Sequence, residues 1–384
     1  MVGRMRLGQI SLRLQAIFGN TLPFGGVDVV LVGDTGQLPP VFDSPKFDES
    51  YKKKGPIPPT VVEGLKVYKM FSTVVQLKRS FRQDSSDVFY STLQRMRQGT
   101  QTTADWRYFC TRDLEKLPSE ERALFLSNTT VRFCSTRQAA ADWNAIKLKE
   151  LRKPLVVLKA RHTGVGGAGR SADDFGGLEA RTVLAEGARV SLTKNLWTDK
   201  GLFNGSLGTV VAFLYAEGEH PDDGDLPETV VVNFDAYLGP GLEGNPGHVA
   251  VPVSTQGFAP GGGSKGWVER SQVPLVLCWA TTIHKSQGQT VGEGQANTRM
   301  VLDIGEGPKA EFSPGLSFVG FSRAKTVTAL ALSPMPNLDR FKKVGQGLAA
   351  AARRAHEAQQ TTDAASTRAQ YQHLLTNQWL AGTW

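Results

Sequence analysis

The sequence predicts an α/β protein with a small β-module inserted into it. Two observations carry this. Short β-branched segments alternate with helical periodicities up to about residue 151 and again after residue 275, and closely spaced short strands fill the interval from Ala188 to Val253. Pro260-Gly261-Gly262-Gly263 closes that interval, as expected of a module set into a larger domain.

The elements follow in order. Leu7, Ile10, Leu14 and Phe18 recur near a 3.6 period, which predicts a helix over 6–19, broken by Asn20, Pro23 and Gly25-Gly26. Val27-Asp28-Val29-Val30-Leu31-Val32 is short and β-branched, the pattern of a parallel strand buried on both faces. A second strand is expected at Thr73–Leu77, with helices at 86–97 and 136–151 and apolar segments Leu124–Leu126 and Val131–Phe133 between them. Residues 162–187 open with a Gly-rich tract and read as a linker. Arg189–Leu192, Gly208–Phe213, Thr229–Phe234 and Val249–Val253 are the strands of the small module, which reads as a barrel. The α/β pattern resumes with Leu275–Ala280, Met300–Leu302 and Thr328–Leu332, and an Ala-, Arg- and Gln-rich tail beyond Pro336 reads as helix.

The 384 residues suffice for two or three domains. Forty-four Lys and Arg against 36 Asp and Glu leave a net charge of +8, which permits a polyanionic partner without demanding one. Cys110, Cys134 and Cys278 form no C-x-x-C pair, so a disulfide scaffold is excluded and no cysteine zinc site is expected. No apolar run reaches the roughly 18 residues of a membrane span. No apolar signal segment follows Met1–Arg6, and a soluble protein of a reducing compartment is expected.

Four polar segments follow apolar ones. Gly33-Asp34-Thr35-Gly36-Gln37-Leu38-Pro39-Pro40-Val41 lies at the end of a predicted strand, where open α/β sheets bind ligands; its Asp and Gln can sense a phosphate, a metal or a water, or simply form a turn. Lys78-Arg79-Ser80-Phe81-Arg82-Gln83 offers planar cations suited to phosphate, or a solvated face. Thr281-Thr282-Ile283-His284-Lys285-Ser286-Gln287-Gly288 gathers hydroxyls, a Lys and a Gln fit for a phosphate backbone, or is a polar surface loop. His284 has no partner at H-x-x-x-H spacing, so no metal site is expected. In Phe321-Ser322-Arg323-Ala324-Lys325 the arginine can be a finger on a phosphate or a salt-bridge partner.

Taken in this order and spacing, the four segments resemble superfamily 1 DNA helicases of the petite-integration-frequency and RecD branch, including those of rolling-circle transposons. Gly33–Val41 is similar to that family's motif III, Phe81-Arg82-Gln83 to motif IV, Ile283–Gly288 to motif V and Phe321–Lys325 to motif VI. Trp143-Asn144 and the stretch Lys194–Gly208 fit the same pattern, and the likeness runs from Met1 to about Ser333. It implies two RecA-like P-loop NTPase-type domains with an inserted SH3-like β-barrel. Residues 1–76 would be the last part of the first domain, 77–161 and 272–335 the second domain, 188–260 the barrel and 336–384 a helical tail. The resemblance further implies an ATP-dependent DNA helicase of 5′ to 3′ polarity, with ATP and Mg²⁺ as cofactors and single-stranded DNA and DNA junctions as partners. It would act as a monomer with no membrane association, in the nucleus rather than the mitochondrion. Gln37, Arg82 and Arg323 would be catalytic at the γ-phosphate, Gly33, Asp34, Gln287 and Gly288 would lie near the nucleotide, and Thr282, His284 and Lys285 near the DNA backbone.

The sequence departs from the family in one respect. No G-x-x-x-x-G-K-[ST] occurs in it. Gly164–Gly169 matches G-x-G-x-x-G but follows no strand and precedes no apolar helix, and Asp48-Glu49 lies on the wrong side of motif III for a magnesium-binding pair. The first RecA-like domain is therefore expected to be incomplete, as in an N-terminally truncated chain, with the chain by itself inactive as an ATPase. The alternatives are an ATPase-dead protein that binds single-stranded nucleic acid, or a remnant of a mobile element.

Overall fold

The structure, a computed structural model, describes residues 2–50, 55–218, 225–242, 244–259, 266–294, 297–306 and 313–374. In chain order its helices are α1 (Arg4–Phe18), α2 (Pro59–Tyr68), α3 (Val88–Gln98), α4 (Thr103–Cys110), α5 (Ser119–Phe125), α6 (Arg137–Glu150), α7 (Leu316–Phe321), α8 (Leu338–Lys342) and α9 (Leu348–Gln370). The strands are β1 (Thr130–Cys134), β2 (Val156–Lys159), β3 (Arg161–Thr163), β4 (Arg181–Leu184), β5 (Arg189–Leu192), β6 (Leu207–Leu214) and β7 (Thr229–Phe234). They continue with β8 (His248–Pro252), β9 (Ser254–Phe258), β10 (Val268–Gln272), β11 (Leu275–Leu277), β12 (Ala280–Thr282), β13 (Arg299–Asp303) and β14 (Leu330–Leu332). The chain divides into two compact units, one of Met1–Lys116, Ile304–Val327 and Leu332–Trp384, the other of Leu117–Asp303 and Thr328–Ala331.

In the first unit α1 and α2 meet backbone to backbone. A Cβ on Gly8 would sit 1.8 Å from the Thr60 carbonyl, and one on Gly64 would sit 1.9 Å from that of Arg4, so only glycine allows the approach. Ser11 Oγ donates to Glu63 Oε1 across this contact at 2.7 Å, satisfying a buried carboxylate. Leu7, Phe24 and Val67 form the core beside it, and Val29 and Leu31 lean on that core. Their neighbours Val30 and Val32 are 85% and 89% exposed. The expected strand at Val27–Val32 is thus an extended segment covered on one face only. Burial on both faces requires a sheet with layers packed above and below it; here one face alone is covered, and among the described residues no strand pairs with the segment. Thr73–Leu77 also forms no strand. Its Val74 amide donates to Thr367 Oγ1 of α9 at 3.0 Å, and Leu77 is exposed. Elsewhere in this unit Phe89, Phe109, Phe321 and Phe341 pack with ring centroids 4.6–6.2 Å apart, joining α3, α4, α7 and α8.

The second unit holds a four-stranded sheet in the order β12-β1-β13-β14, with β1 parallel to both β12 and β13. Every residue of β1 is buried, as expected of a central parallel strand. The segment 189–277 supplies a five-stranded antiparallel sheet, β11-β5-β6-β7-β8, with a bulge at Val210/Ala212. Val190, Leu192, Val210, Val230, Val232 and Val251 fill its core. Leu275–Ala280, expected as one strand, is two: β11 belongs to the antiparallel sheet and β12 to the parallel one. Asn144 of α6 fixes the crossing. Its Nδ2 donates to the carbonyls of Leu277 (3.3 Å) and Ala280 (2.9 Å), and its Oδ1 accepts from the Ala280 amide at 2.8 Å. The Gly-rich stretch read as a linker folds around Arg270. That fully buried guanidinium donates to the carbonyls of Gly167 (3.1 Å), Arg170 (2.9 Å) and Leu178 (2.9 Å), and it lies 4.2 Å over the Phe175 ring.

Candidate functional site

The first unit brings together the Gly33–Val41 loop, the Arg82 segment and the Arg323 segment. In the loop, Asp34 Oδ1 accepts from the Gly36 amide at 2.9 Å and Oδ2 from Gln37 Nε2 at 3.3 Å. The same carboxylate pairs with Arg97 of α3 at 2.8 Å. Arg97 also reaches Glu357 of α9 at 2.9 Å, and Glu357 accepts from Thr35 Oγ1 at 2.7 Å. Burial acts to lower the Arg97 pKa, but Asp34 and Glu357 outweigh it and hold the guanidinium above its ordinary value. The loop is therefore clamped from two helices, and Gln37 is oriented through Asp34. Gly315, at φ +82°, lets the loop lie against the start of α7, since a Cβ there would stand 3.0 Å from the Gly36 carbonyl. Gly33 is exposed, and a Cβ on it would meet only open space.

Arg82 and Arg323 share the Ser322 segment. Arg82 Nη1 donates to the Ser322 carbonyl at 3.2 Å, and Gln83 Nε2 donates to the carbonyls of Ser322 (3.1 Å) and Ala324 (2.7 Å). Arg323 is 2% exposed; its Nε donates to the Val319 carbonyl at 3.0 Å and its Nη2 to Ser322 Oγ at 3.0 Å. Burial first, and repulsion from Arg82 second, push Arg323 down to about 10, with Asp34 opposing. Arg82 is likewise lowered by burial. Two guanidiniums gathered on one segment, the Arg323 charge opposed by Arg82, offer the forked donors that suit phosphate recognition. Beside Gln37 a cavity of about 90 Å³ is lined by Thr35, Pro40, Lys46, Phe47, Tyr68 and Arg353.

The second unit carries the remaining candidates on one turn at the end of β12. The Ile283 amide donates to the Cys134 carbonyl of β1 at 2.9 Å, and the amides of Lys285 and Ser286 return to the Thr282 carbonyl at 2.9 and 3.2 Å. Ser286 is fully buried and its Oγ donates to the Ile283 carbonyl at 2.8 Å, tying the turn from inside. Lys285 and Gly288 are exposed, while Thr282, His284 and Gln287 are half-buried. Gly288 takes φ +86°, which side-chain-bearing residues rarely adopt. Burial, then the nearby Arg137, lowers the His284 pKa and favours a neutral ring. This turn suits an extended phosphate backbone, since it displays one cation and several donors at a parallel-strand end.

Arg97, Arg353 and Glu357 were not legible as site residues. Arg97 reads as one more base in the last turn of an amphipathic helix, and Glu357 lies more than 300 residues from the loop it serves. For a nucleotide, Gln37, Arg82 and Arg323 fit an outermost phosphate. The inner phosphates and Mg²⁺ find no match among the described residues: no three His, Cys, Asp or Glu side chains converge there, and the Gly164–Gly169 run turns its Gly167 carbonyl to Arg270.

No family model matches the chain. The ATP-dependent DNA helicase PIF1 of Homo sapiens is 29% identical over 324 residues, covering 82% of this chain and 42% of that protein. The ATP-dependent DNA helicase PIF6 of Trypanosoma brucei brucei is 28% identical over 330 residues, covering 81% and 37%. Among solved structures, the Pif1 helicase from Candida albicans aligns with a TM-score of 0.66 at 25% identity over 93% of this chain and 75% of that one. Bacteroides Pif1 bound to single-stranded DNA gives 0.61 at 22% identity over 94% and 74%, a likeness of fold. The chain spans about two fifths of the length of the curated relatives it matches.

Proposed function

This chain is a relative of the Pif1-type superfamily 1 helicases, and from that kinship we propose that it serves ATP-dependent translocation on single-stranded DNA and duplex unwinding, 5′ to 3′. Residues 1–76 act as the last part of a first RecA-like domain, and 77–161 with 272–335 as the second. Residues 188–260, which carry strands β5 to β8 of the antiparallel sheet, act as the SH3-like insertion, and the protein works as a monomer. The reading rests on one observation: Arg82 and Arg323, distant in sequence, converge on the Ser322 segment in the same unit as the clamped Gln37. A bound ATP supplies the phosphoryl group whose transfer to water releases the energy. The chain's own groups then act on charge: Arg82 and Arg323 offer donors to the outer phosphate oxygens, and Gln37, held by Asp34, is positioned to read whether that phosphate is present. By the same kinship Thr282, His284 and Lys285 serve contact with the DNA backbone, and Gln287 and Gly288 serve nucleotide binding.

ATP hydrolysis of this kind uses a Walker-type loop and an acidic pair, and no G-x-x-x-x-G-K-[ST] occurs in the sequence. The test is to express the protein with any coding sequence continuous with it and to measure ATP hydrolysis with and without single-stranded DNA. DNA-stimulated hydrolysis, abolished in Arg323→Ala, is the expected result. Hydrolysis that DNA leaves unchanged, or that Arg323→Ala retains, would overturn it. A second reading, a binding protein without ATPase activity, is favoured by the +8 charge and predicts binding to single-stranded DNA without hydrolysis.

A further inference from the structure

Phe42 stands out among the exposed residues of the first unit. It is 95% exposed and takes φ +58°, a left-handed conformation that strains a bulky side chain and that glycine would adopt freely. The fold gains nothing from the ring. The backbone around it is nonetheless pinned. Asp43 accepts from the amides of Met5 and Arg6 at 3.0 Å each, capping α1, and the Arg4 amide donates to the Ser44 carbonyl at 2.9 Å. A Cβ on Gly3 would lie 2.3 Å from the Asp43 side chain, so the loop and the helix start are in close contact. Lys46 Nζ donates to the Val2 carbonyl at 3.1 Å on the same side. The turn is rigid on its inner side and presents an aromatic ring outward, five residues after Gln37.

The surroundings favour a ligand that carries both a ring and negative charge. Arg6 is exposed on the turn that Asp43 caps, and Lys46 is half-buried where it donates to the Val2 carbonyl. Phe81, the other exposed phenylalanine near a site segment, already has a cation over its face, with Arg79 at 4.8 Å. Phe42 has both faces open. We infer that Phe42 is a stacking platform for a base of single-stranded nucleic acid, held ready by the Asp43-capped turn, with the exposed Arg6 on the helix turn that Asp43 caps available for a phosphate. This deepens the proposed function and rests on its single-stranded DNA reading. Stacking of a base on an aromatic ring strengthens binding by about tenfold, and a preformed turn spares the ordering cost.

The experiment measures binding of the whole chain to a fluorescent oligothymidylate across a salt series, for the wild type, Phe42→Ala and Phe42→Trp. Phe42→Ala is expected to weaken binding about tenfold with an unchanged slope of log K against log salt, because stacking releases no counterions. Phe42→Trp restores or exceeds wild-type affinity. Thermal unfolding of both variants stays at the wild-type midpoint, since the ring is outside the core. Equal affinity of Phe42→Ala and the wild type overturns the stacking role while leaving DNA binding intact. A change of salt slope in Phe42→Ala with no rescue by Trp overturns it in favour of a charge effect. Absence of wild-type binding at low salt overturns the proposed function, and the inference falls with it.

Discussion

Arg97 shows what a single side chain does here. Its planar fork spans two carboxylates, Asp34 at 2.8 Å and Glu357 at 2.9 Å, with fixed donors that the compact lysine ammonium lacks. Removing it leaves Glu357, whose side chain is 16% exposed, and the partly exposed Asp34 without their cation. Arg97→Ala is expected to lower stability by about 1.5–3 kcal/mol, read as a shift of the urea midpoint, and Arg97→Lys by less. An unchanged midpoint in Arg97→Ala would show that the clamp contributes nothing to the folded state. The cysteines sit at the opposite extreme. Burial pushes Cys134 up to about 12 and Cys278 to about 11, so both remain thiols at neutral pH. Native alkylation at pH 8 is expected to label the half-exposed Cys110 and spare those two.

At the scale of elements, caps explain where the helices start. Thr102 and Asp105 form a reciprocal capping box on α4, and Asp105 also receives Arg95 Nε at 2.9 Å. Burial alone would raise the Asp105 pKa, but Arg95 and the Thr102 donors outweigh it and hold the carboxyl at about 2. A folded-state pKa below the unfolded value, near 3.9, stabilises the fold above that pH, and the contribution disappears as pH falls from about 4 towards 2. Chemical unfolding from pH 5 to 2 is therefore expected to show a loss of about 2 kcal/mol in the wild type that is absent in Asp105→Asn. An identical acid dependence in the two proteins would remove Asp105 from the account. The helices at 86–97 and 136–151 were legible from their pattern, and the structure adds their caps: Asp87 accepts from the Phe89 amide before α3 and Thr136 from the Ala139 amide before α6. The strand at Val27–Val32 was not, because its period and its β-branched content describe the segment, whereas a strand exists only through the backbone of its neighbours. Leu275–Ala280 failed for a related reason. A continuous apolar run says nothing of a change of sheet, which Asn144 enforces from another element.

For the molecule as a whole, charge decides the most accessible test. If Lys285 on the β12 turn touches a phosphate, Lys285→Ala weakens binding to single-stranded DNA of any sequence and reduces the salt slope by about 0.7, the value for one phosphate on a single strand. A drop in affinity with the slope unchanged would mean that Lys285 acts otherwise. Because stacking leaves the slope alone, this variant and Phe42→Ala separate the two kinds of contact in one set of titrations. The tail helix α9 also matters at this scale. Glu357, Arg353, Thr361 and Thr367 contact Thr35, Gly36, Gln76 and Val74, so residues near the end of the chain hold the loop near its beginning.

The sequence by itself determined the α/β class, the helices at α1, α3 and α6, the strands of the antiparallel module and the ordered segments that resemble motifs III to VI. Each of these depends on periodicity or a short run of residue types, and such signals are local. Tertiary structure alone decided that Arg82 and Arg323 share one segment, that Asp34 is neutralised by Arg97, that the glycine run wraps Arg270, and that Val30 and Val32 face outward. Those facts depend on which distant backbones and charges come within a few ångströms, and sequence spacing does not encode that distance.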